Sequence, residues 1–164
     1  MSNLIRSLRI AFKERIKSMT DKMVLEIKDV EIGAELSERL RVAGLRPTRQ
    51  RLALATLLFG SGDRHVSAEL LHSEALDSGE HVSLATVYNT LHQFTQAGLL
   101  RELAIDGAKA YFDTNTSNHN HFFHEQDGEL IDIPGNSIRV DGLPQPPEGT
   151  RISHIDVVVR LVKK

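Results

Sequence analysis

Cysteine is missing from all 164 residues of this chain. That absence excludes disulfides and every thiolate metal site, so a metal held here is held by nitrogen and oxygen. Also missing is any apolar run near the ~20 residues that cross a bilayer. The first 25 residues scatter Arg6, Arg9, Lys13, Arg15, Lys17 and Lys22 among their apolar positions, which leaves no uninterrupted stretch for a secretory signal. We therefore expect a cytoplasmic protein with no membrane partner. Internal repeats are absent, and so is a strong charge of either sign: the formal net charge is −2, which by itself points to no class of partner.

What is present is uneven. Residues 1–64 carry 13 Lys/Arg against 8 Asp/Glu, residues 65–112 carry 2 against 6, and residues 113–164 carry 5 against 8. A basic first third followed by acidic remainder suits a chain that meets polyanions with one region and cations with another. The length allows one domain or two small ones, and a hydrophobic fraction of 40% is compatible with a folded core.

Three of the eight histidines fall within six residues, in Asn118-His119-Asn120-His121-Phe122-Phe123-His124-Glu125. In an extended segment, positions i and i+2 share a face. His119 and His121 then point the same way and can hold one ion, while His124 points to the opposite face. Imidazole suits zinc, iron, copper or nickel, and added carboxylates shift the preference toward iron or manganese.

Leu4, Leu8, Phe12, Ile16 and Met19 recur at helical spacing with cations between them, so residues 3–20 read as a basic amphipathic helix or a solvated arm. From Ile32 to Phe112 the pattern is four helices and a hairpin. The first helix covers Ala34–Ala43 and stops at Gly44. Thr48 caps the second, which runs to about Phe59; Ser67 caps the third, to about Asp77; Ser83 caps the fourth, which Gly98 ends. Leu99–Ala104 and Lys109–Phe112 flank Asp106-Gly107, a hairpin turn. Helices followed by a two-stranded wing make a winged helix-turn-helix. Beyond a polar linker at Thr114–Asn118, strands are expected at His119–His124, Glu129–Ile133 and Ser153–Val162, with a proline-rich loop over Pro144–Gly149.

In the fourth helix, Leu84, Val87, Leu91 and Phe94 form the core stripe. Ser83, Thr86, Asn89, Thr90 and Gln93 are then expected to face out, with Tyr88 at the boundary. These small or planar hydrogen-bonding groups near a helix N-terminus suit base edges and thymine methyls in a major groove. Arg46, Arg49 and Arg51 surround the start of the second helix, where guanidinium groups anchor phosphates or reach a narrow minor groove. One basic module with few phosphate contacts binds weakly, so dimerisation through the second half is expected.

Arg46-Pro47-Thr48-Arg49-Gln50-Arg51, Ala85-Thr86-Val87-Tyr88-Asn89-Thr90-Leu91, Gly98-Leu99-Leu100 and His119-x-His121 together resemble the ferric uptake regulator superfamily over about residues 34–163. Within it, the lack of cysteine and the histidine-rich segment are most similar to the iron response regulator branch. The resemblance implies an α+β protein: an N-terminal winged helix-turn-helix followed by a small α/β dimerisation domain with a mostly antiparallel three-stranded sheet. Its parts would be an arm (1–30), a DNA-binding domain (31–112), a hinge (113–118) and a dimerisation and sensing domain (119–164). The implied molecule is a bacterial, cytoplasmic, nucleoid-associated homodimer on an AT-rich palindromic double-stranded operator. Tyr88 would contact bases or thymine methyls, and Arg46 and Arg49 the minor groove or backbone. Asn89 stands where many members carry arginine.

By motif, the family's regulatory site falls on His65, Asp113, His119, His121 and Asp132, a set suited to one Fe(II), Mn(II) or Zn(II) per subunit. The family's Cys-x-x-Cys is replaced by His124-Glu125-Gln126-Asp127. Its second metal site falls on Asn118, Asn120, Arg139 and His154, of which only His154 is a good ligand, and that site is expected to be lost. The iron response branch also implies haem, free or from a haem-delivering protein, with His119, His121 and His124 as candidate axial ligands. The leading expectation is an iron-responsive regulator that loses activity when iron or haem is plentiful. The alternatives are a metal- or peroxide-responsive sensor of the same fold and a non-haem iron enzyme, the last leaving the winged helix unexplained.

Overall fold

The computed structural model describes Lys17, Met19, Met23, residues 30–106 and residues 109–163. The arm expected over residues 3–20 lies outside the described residues apart from Lys17 and Met19, and so do the turn residues Gly107 and Ala108. Helix α1, described over residues 30–42, is already helical at Val30, ahead of the expected start at Ala34, and buries Leu36 and Leu40. It is followed by α2 (Arg49–Phe59), α3 (Ala68–Asp77) and α4 (Leu84–Gln96). All three hydroxyl caps form: Thr48 accepts from Arg51 N–H at 3.4 Å, Ser67 from Leu70 N–H at 3.2 Å and Ser83 from Thr86 N–H at 3.1 Å. Each satisfies an amide that the first helical turn leaves without a partner, worth about 1 kcal/mol. Gly98, at φ 73°, ends α4 and turns the chain into the wing.

The wing has three strands rather than two. Strand β2 (Arg101–Asp106) pairs antiparallel with β3 (Lys109–Asp113), with Asp106 opposite Lys109. On the other side of β3 lies β1 (His65–Val66), with His65 opposite Asp113 and Val66 opposite Phe112. Two residues are too few to show alternation, which is why the sequence reading passes over β1. It begins the wing at Leu99, whereas Leu99 and Leu100 are buried in the helical core and pairing starts at Arg101.

The second sheet places β4 (His119–His124) between β5 (Glu129–Pro134) and β6 (Val158–Leu161). The β4–β5 ladder is antiparallel, and the shorter β4–β6 ladder is parallel. A parallel return needs a long crossover. Strand β5 carries the chain back to the starting end of β4, and the 3₁₀ turn Gly135–Ser137 and the proline-rich loop then lead past β4 to β6. The last strand is shorter than the expected Ser153–Val162. Continued backwards, the register sets His119, the first residue of β4, opposite Asp156, so residues upstream of Asp156 have no strand beside them.

The main core joins the four helices to Val66 and Phe112 of the wing. A second apolar cluster joins the two sheets: Leu103, Ile105 and Tyr111 of the wing against Phe123 of β4, with Leu130 and Val158 beside them. Polar ties reinforce the junction. Arg160 donates to Ile105 C=O while lying over the Phe123 ring, and Arg101 donates to Ser117 C=O at 2.9 Å and pairs with Asp156.

Candidate metal centre and nucleic-acid interface

Two strand registers assemble one polar cluster. Pairing of β1 with β3 sets His65 opposite Asp113. Pairing of β4 with β5 sets His121 opposite Asp132, and the two-residue period brings His119 to the same face as His121. One ligand atom from each of the five residues lies within 4.8 Å of every other. His119 Nε2 is 2.9 Å from Asp113 Oδ2, His121 Nε2 is 3.4 Å from it, and His65 Nε2 is 3.0 Å from Asp132 Oδ1. The structure therefore brings together all five positions that the family resemblance implies.

The donor atoms fit a divalent cation. Asp113 and His121 are fully buried, and His119 nearly so. Despite their proximity to carboxylate oxygens, the buried His65 Nε2 and His119 Nε2 lack an aligned hydrogen-bond partner. Buried nitrogens converging without partners are costly unless something fills the gap between them. The other ring nitrogen of His119, Nδ1, lies 2.9 Å from Ser117 C=O; a proton there leaves the Nε2 lone pair facing the cluster. Burial alone would raise the Asp113 pKa. The neighbouring imidazoles of His121 and His65 and the hydrogen bond from the Asn115 N–H outweigh it and hold the carboxyl well below the ordinary aspartate range. Three imidazoles and two carboxylates suit Fe(II), Mn(II) or Zn(II).

At the surface expected to meet nucleic acid, Thr90, Arg51 and Gln93 are placed otherwise than their spacing suggests. Ser83 and Asn89 are exposed and Thr86 is half-buried at the open end of α4. Thr90, expected to face out, is only 5% exposed, and its Oγ1 donates to Thr86 C=O at 2.8 Å. A helix's buried stripe spans more than one row, and position 90 lies at i+3 from Val87. Leu84 is the exchange: placed in the first turn, beyond the core, it is exposed. Arg51 is half-buried and engaged within the domain, donating to Gln93 Oε1 at 2.7 Å and to Arg46 C=O at 2.8 Å, which ties α2 to α4. Gln93 is the other half of that tie and is half-buried. Arg46 and Arg49 remain exposed, Arg49 with only a 3.5 Å contact to Glu80. Tyr88 donates its hydroxyl to Glu69 Oε1 at 2.7 Å, which lowers the Glu69 pKa and raises that of Tyr88. Glu69 was not singled out from the sequence, where its only signal is its place in the first turn of α3.

Residues 42–159 match the model of the ferric uptake regulator family. The chain belongs to that family. It is 38% identical over 100 residues to the ferric uptake regulation protein of Shigella flexneri, covering 60% of this chain and 68% of that one. It is 36% identical over 112 residues to the peroxide-responsive repressor of Staphylococcus aureus, covering 68% of this chain and 75% of that one. Its fold is similar to the ferric uptake regulator of Pseudomonas aeruginosa solved with manganese, with a TM-score of 0.59 and 29% identity, over 78% of this chain and 97% of that one.

Members of the ferric uptake regulator family are metal-responsive transcription regulators that bind DNA, not enzymes. The positions where this chain departs from the family pattern have other occupations here. Asn120 accepts Val157 N–H at 3.3 Å, Arg139 pairs with Asp141, and His154 sits against Asp156 at 3.1 Å. The His124-Glu125-Gln126-Asp127 segment makes the turn between β4 and β5, closed by Gly128 N–H to His124 C=O at 2.8 Å, and Asp127 pairs with Lys163. Of the three histidines read as haem ligands, His119 and His121 face the buried cluster, while half-buried His124 lies on the other face of β4. Among the remaining histidines, His72 Nε2 lies 2.9 Å from Val82 C=O and His92 Nδ1 lies 3.5 Å from Glu102.

Proposed function

We propose that this protein is an iron-responsive transcription regulator whose operator affinity depends on one divalent ion per subunit at His65, Asp113, His119, His121 and Asp132. The observation that carries this reading is the origin of the ligands: His65 and Asp113 come from the wing sheet, and His119, His121 and Asp132 from the second sheet. An ion bound there ties the two sheets together. It can change DNA affinity only by favouring one arrangement of the two over another. The winged helix over residues 31–112 would read an AT-rich palindrome through Arg46, Arg49, Ser83, Thr86, Tyr88 and Asn89. Residues 113–118 serve as the hinge, and residues 119–164 pair two copies in the bacterial cytoplasm.

The missing cysteines and the histidine-rich segment support the iron response branch, in which high iron or haem status lowers operator binding. The geometry favours a metal ion over haem at His119 and His121, because both already face Asp113. A second reading, peroxide sensing by iron-catalysed histidine oxidation, is supported by the likeness to the Staphylococcus aureus repressor. Gel-shift titrations of the full chain on an AT-rich palindrome, with Mn(II), Fe(II), Zn(II) or haem added in turn, test these readings. Metal-dependent DNA affinity supports the metal reading, and loss of the shift with haem alone supports haem control. Oxidation of His119 or His121 after peroxide with Fe(II) supports the second reading. No shift under any condition sinks them all.

A further inference from the structure

Both carboxylates of the cluster turn one oxygen inward, and the outward oxygen of each is taken by the same residue. Asn115 N–H donates to Asp113 Oδ1 at 2.8 Å, and Asn115 Nδ2 donates to Asp132 Oδ2 at 3.1 Å. The inward oxygens, Asp113 Oδ2 and Asp132 Oδ1, are those lying 2.9 to 3.8 Å from the imidazole nitrogens. Chemistry sets the orientation of the amide. Its Oδ1 accepts Ser117 N–H at 3.1 Å and Ser117 Oγ–H at 2.6 Å; a backbone N–H can only donate, so the NH₂ group must face Asp132. Ser117 C=O, in turn, faces His119 Nδ1. The turn over residues 115–117 thus orients two carboxylates and one imidazole.

The consequence differs among the ligands. Asp113 is fully buried and also gripped by imidazoles, whereas the Asp132 side chain is 36% exposed. An exposed carboxylate without a tether would lose rotamer freedom on binding a cation. The Asn115 amide removes that freedom beforehand.

Building on the metal reading above, we propose that Asn115 is the positioning residue that makes Asp132 a ligand, and that it thereby sets the preference of the site for oxygen-seeking cations over zinc. Mn(II) favours several oxygen ligands, while Zn(II) is content with four donors, which the three imidazoles and Asp113 supply. Loss of Asn115 therefore weakens Mn(II) more than Zn(II).

The test measures Mn(II) and Zn(II) affinity of the full-length chain by competition with a chromophoric chelator, for wild type, Asn115→Leu, Asp132→Ala, the double variant and His121→Ala. Asn115→Leu is expected to lose about 10- to 100-fold in Mn(II) affinity, the usual effect of removing an outer partner of a ligand, and less for Zn(II). In the Asp132→Ala background it should change Mn(II) affinity by less than about twofold, because the residue acts through Asp132. Asn115→Ser keeps an acceptor for Ser117, adds no charge and is too short to reach Asp132, and should repeat the result if the leucine variant folds poorly. Equal losses in both backgrounds, equal losses for both metals, or no loss of Mn(II) affinity would overturn the proposal while leaving the metal site standing. A His121→Ala variant that binds both metals as wild type does would remove the metal reading and this inference with it.

Discussion

Phe94 and His121 are both fully buried, yet the regions around them are built on different terms. Phe94 belongs to an apolar cluster to which all four helices contribute, with Phe59 6.2 Å away, ring centre to ring centre. A cluster of this composition gains from exclusion of water. His121 packs edge-on against His65 and His119, faces Asp113, and has a buried Nδ1 with no partner. Burial there works against the charges and unpaired nitrogens it encloses. The first cluster exists because folding stabilises it. The second is held in place by the strands on either side, and its polar atoms are arranged for something that binds.

That contrast breaks most sharply at the two centres themselves. His121→Ala should lower Mn(II) affinity by more than the ~100-fold of an outer-partner loss, while the metal-free protein unfolds in urea at much the same concentration as wild type. Phe94→Ala should do the reverse in kind: about 3–5 kcal/mol of stability lost in urea unfolding, with or without metal. If His121→Ala cost the metal-free protein as much as Phe94→Ala, the two clusters would be the same sort of core and the contrast would fail.

The arginines around α2 give a smaller version of the same comparison. Arg51→Ala removes a part-buried tie to Gln93 and Arg46 C=O and should cost about 1.5 kcal/mol of stability. The Arg49 side chain is 85% exposed, so Arg49→Ala should change stability by less than about 0.5 kcal/mol. It should instead weaken operator binding across sequences and reduce the salt dependence of binding by about one counterion, read by fluorescence anisotropy at several salt concentrations.

Smallest of all should be Thr90→Val. The side chain keeps its shape and loses only the hydroxyl that folds back on Thr86 C=O, so stability should shift by about 1 kcal/mol or less. Operator affinity should stay as in wild type. A loss of affinity equal to that of Asn89→Ala would place Thr90 at the DNA and undo the correction made from its burial.

Helices α2, α3 and α4 and their caps were legible because each signal is local. Ser83, Thr48 and Ser67 need only the first turn they cap, and Val87, Leu91 and Phe94 repeat along one helix. Strand β1 was not legible, since His65 and Val66 become a strand only by lying beside β3. Thr90 was misread because a single row of apolar residues understates the width of a buried face. The metal-ligand positions were reached through motif resemblance; periodicity reached only His119 and His121. Asn115 gave no signal, because its importance lies in two carboxylates that come from different strands.

What the sequence determined by itself is therefore the local part: helices, turns, the absence of thiolate chemistry and the pairing of two imidazoles on one strand face. Tertiary structure alone decided which distant groups meet. The His65–Asp113 and His121–Asp132 pairs exist because two ladders settle in one register, and a slip of one residue would turn each side chain to the opposite face. Register is set by packing of whole sheet faces, Phe112 and Val66 into the helical core and Phe123 against the wing. No short window of sequence contains that information.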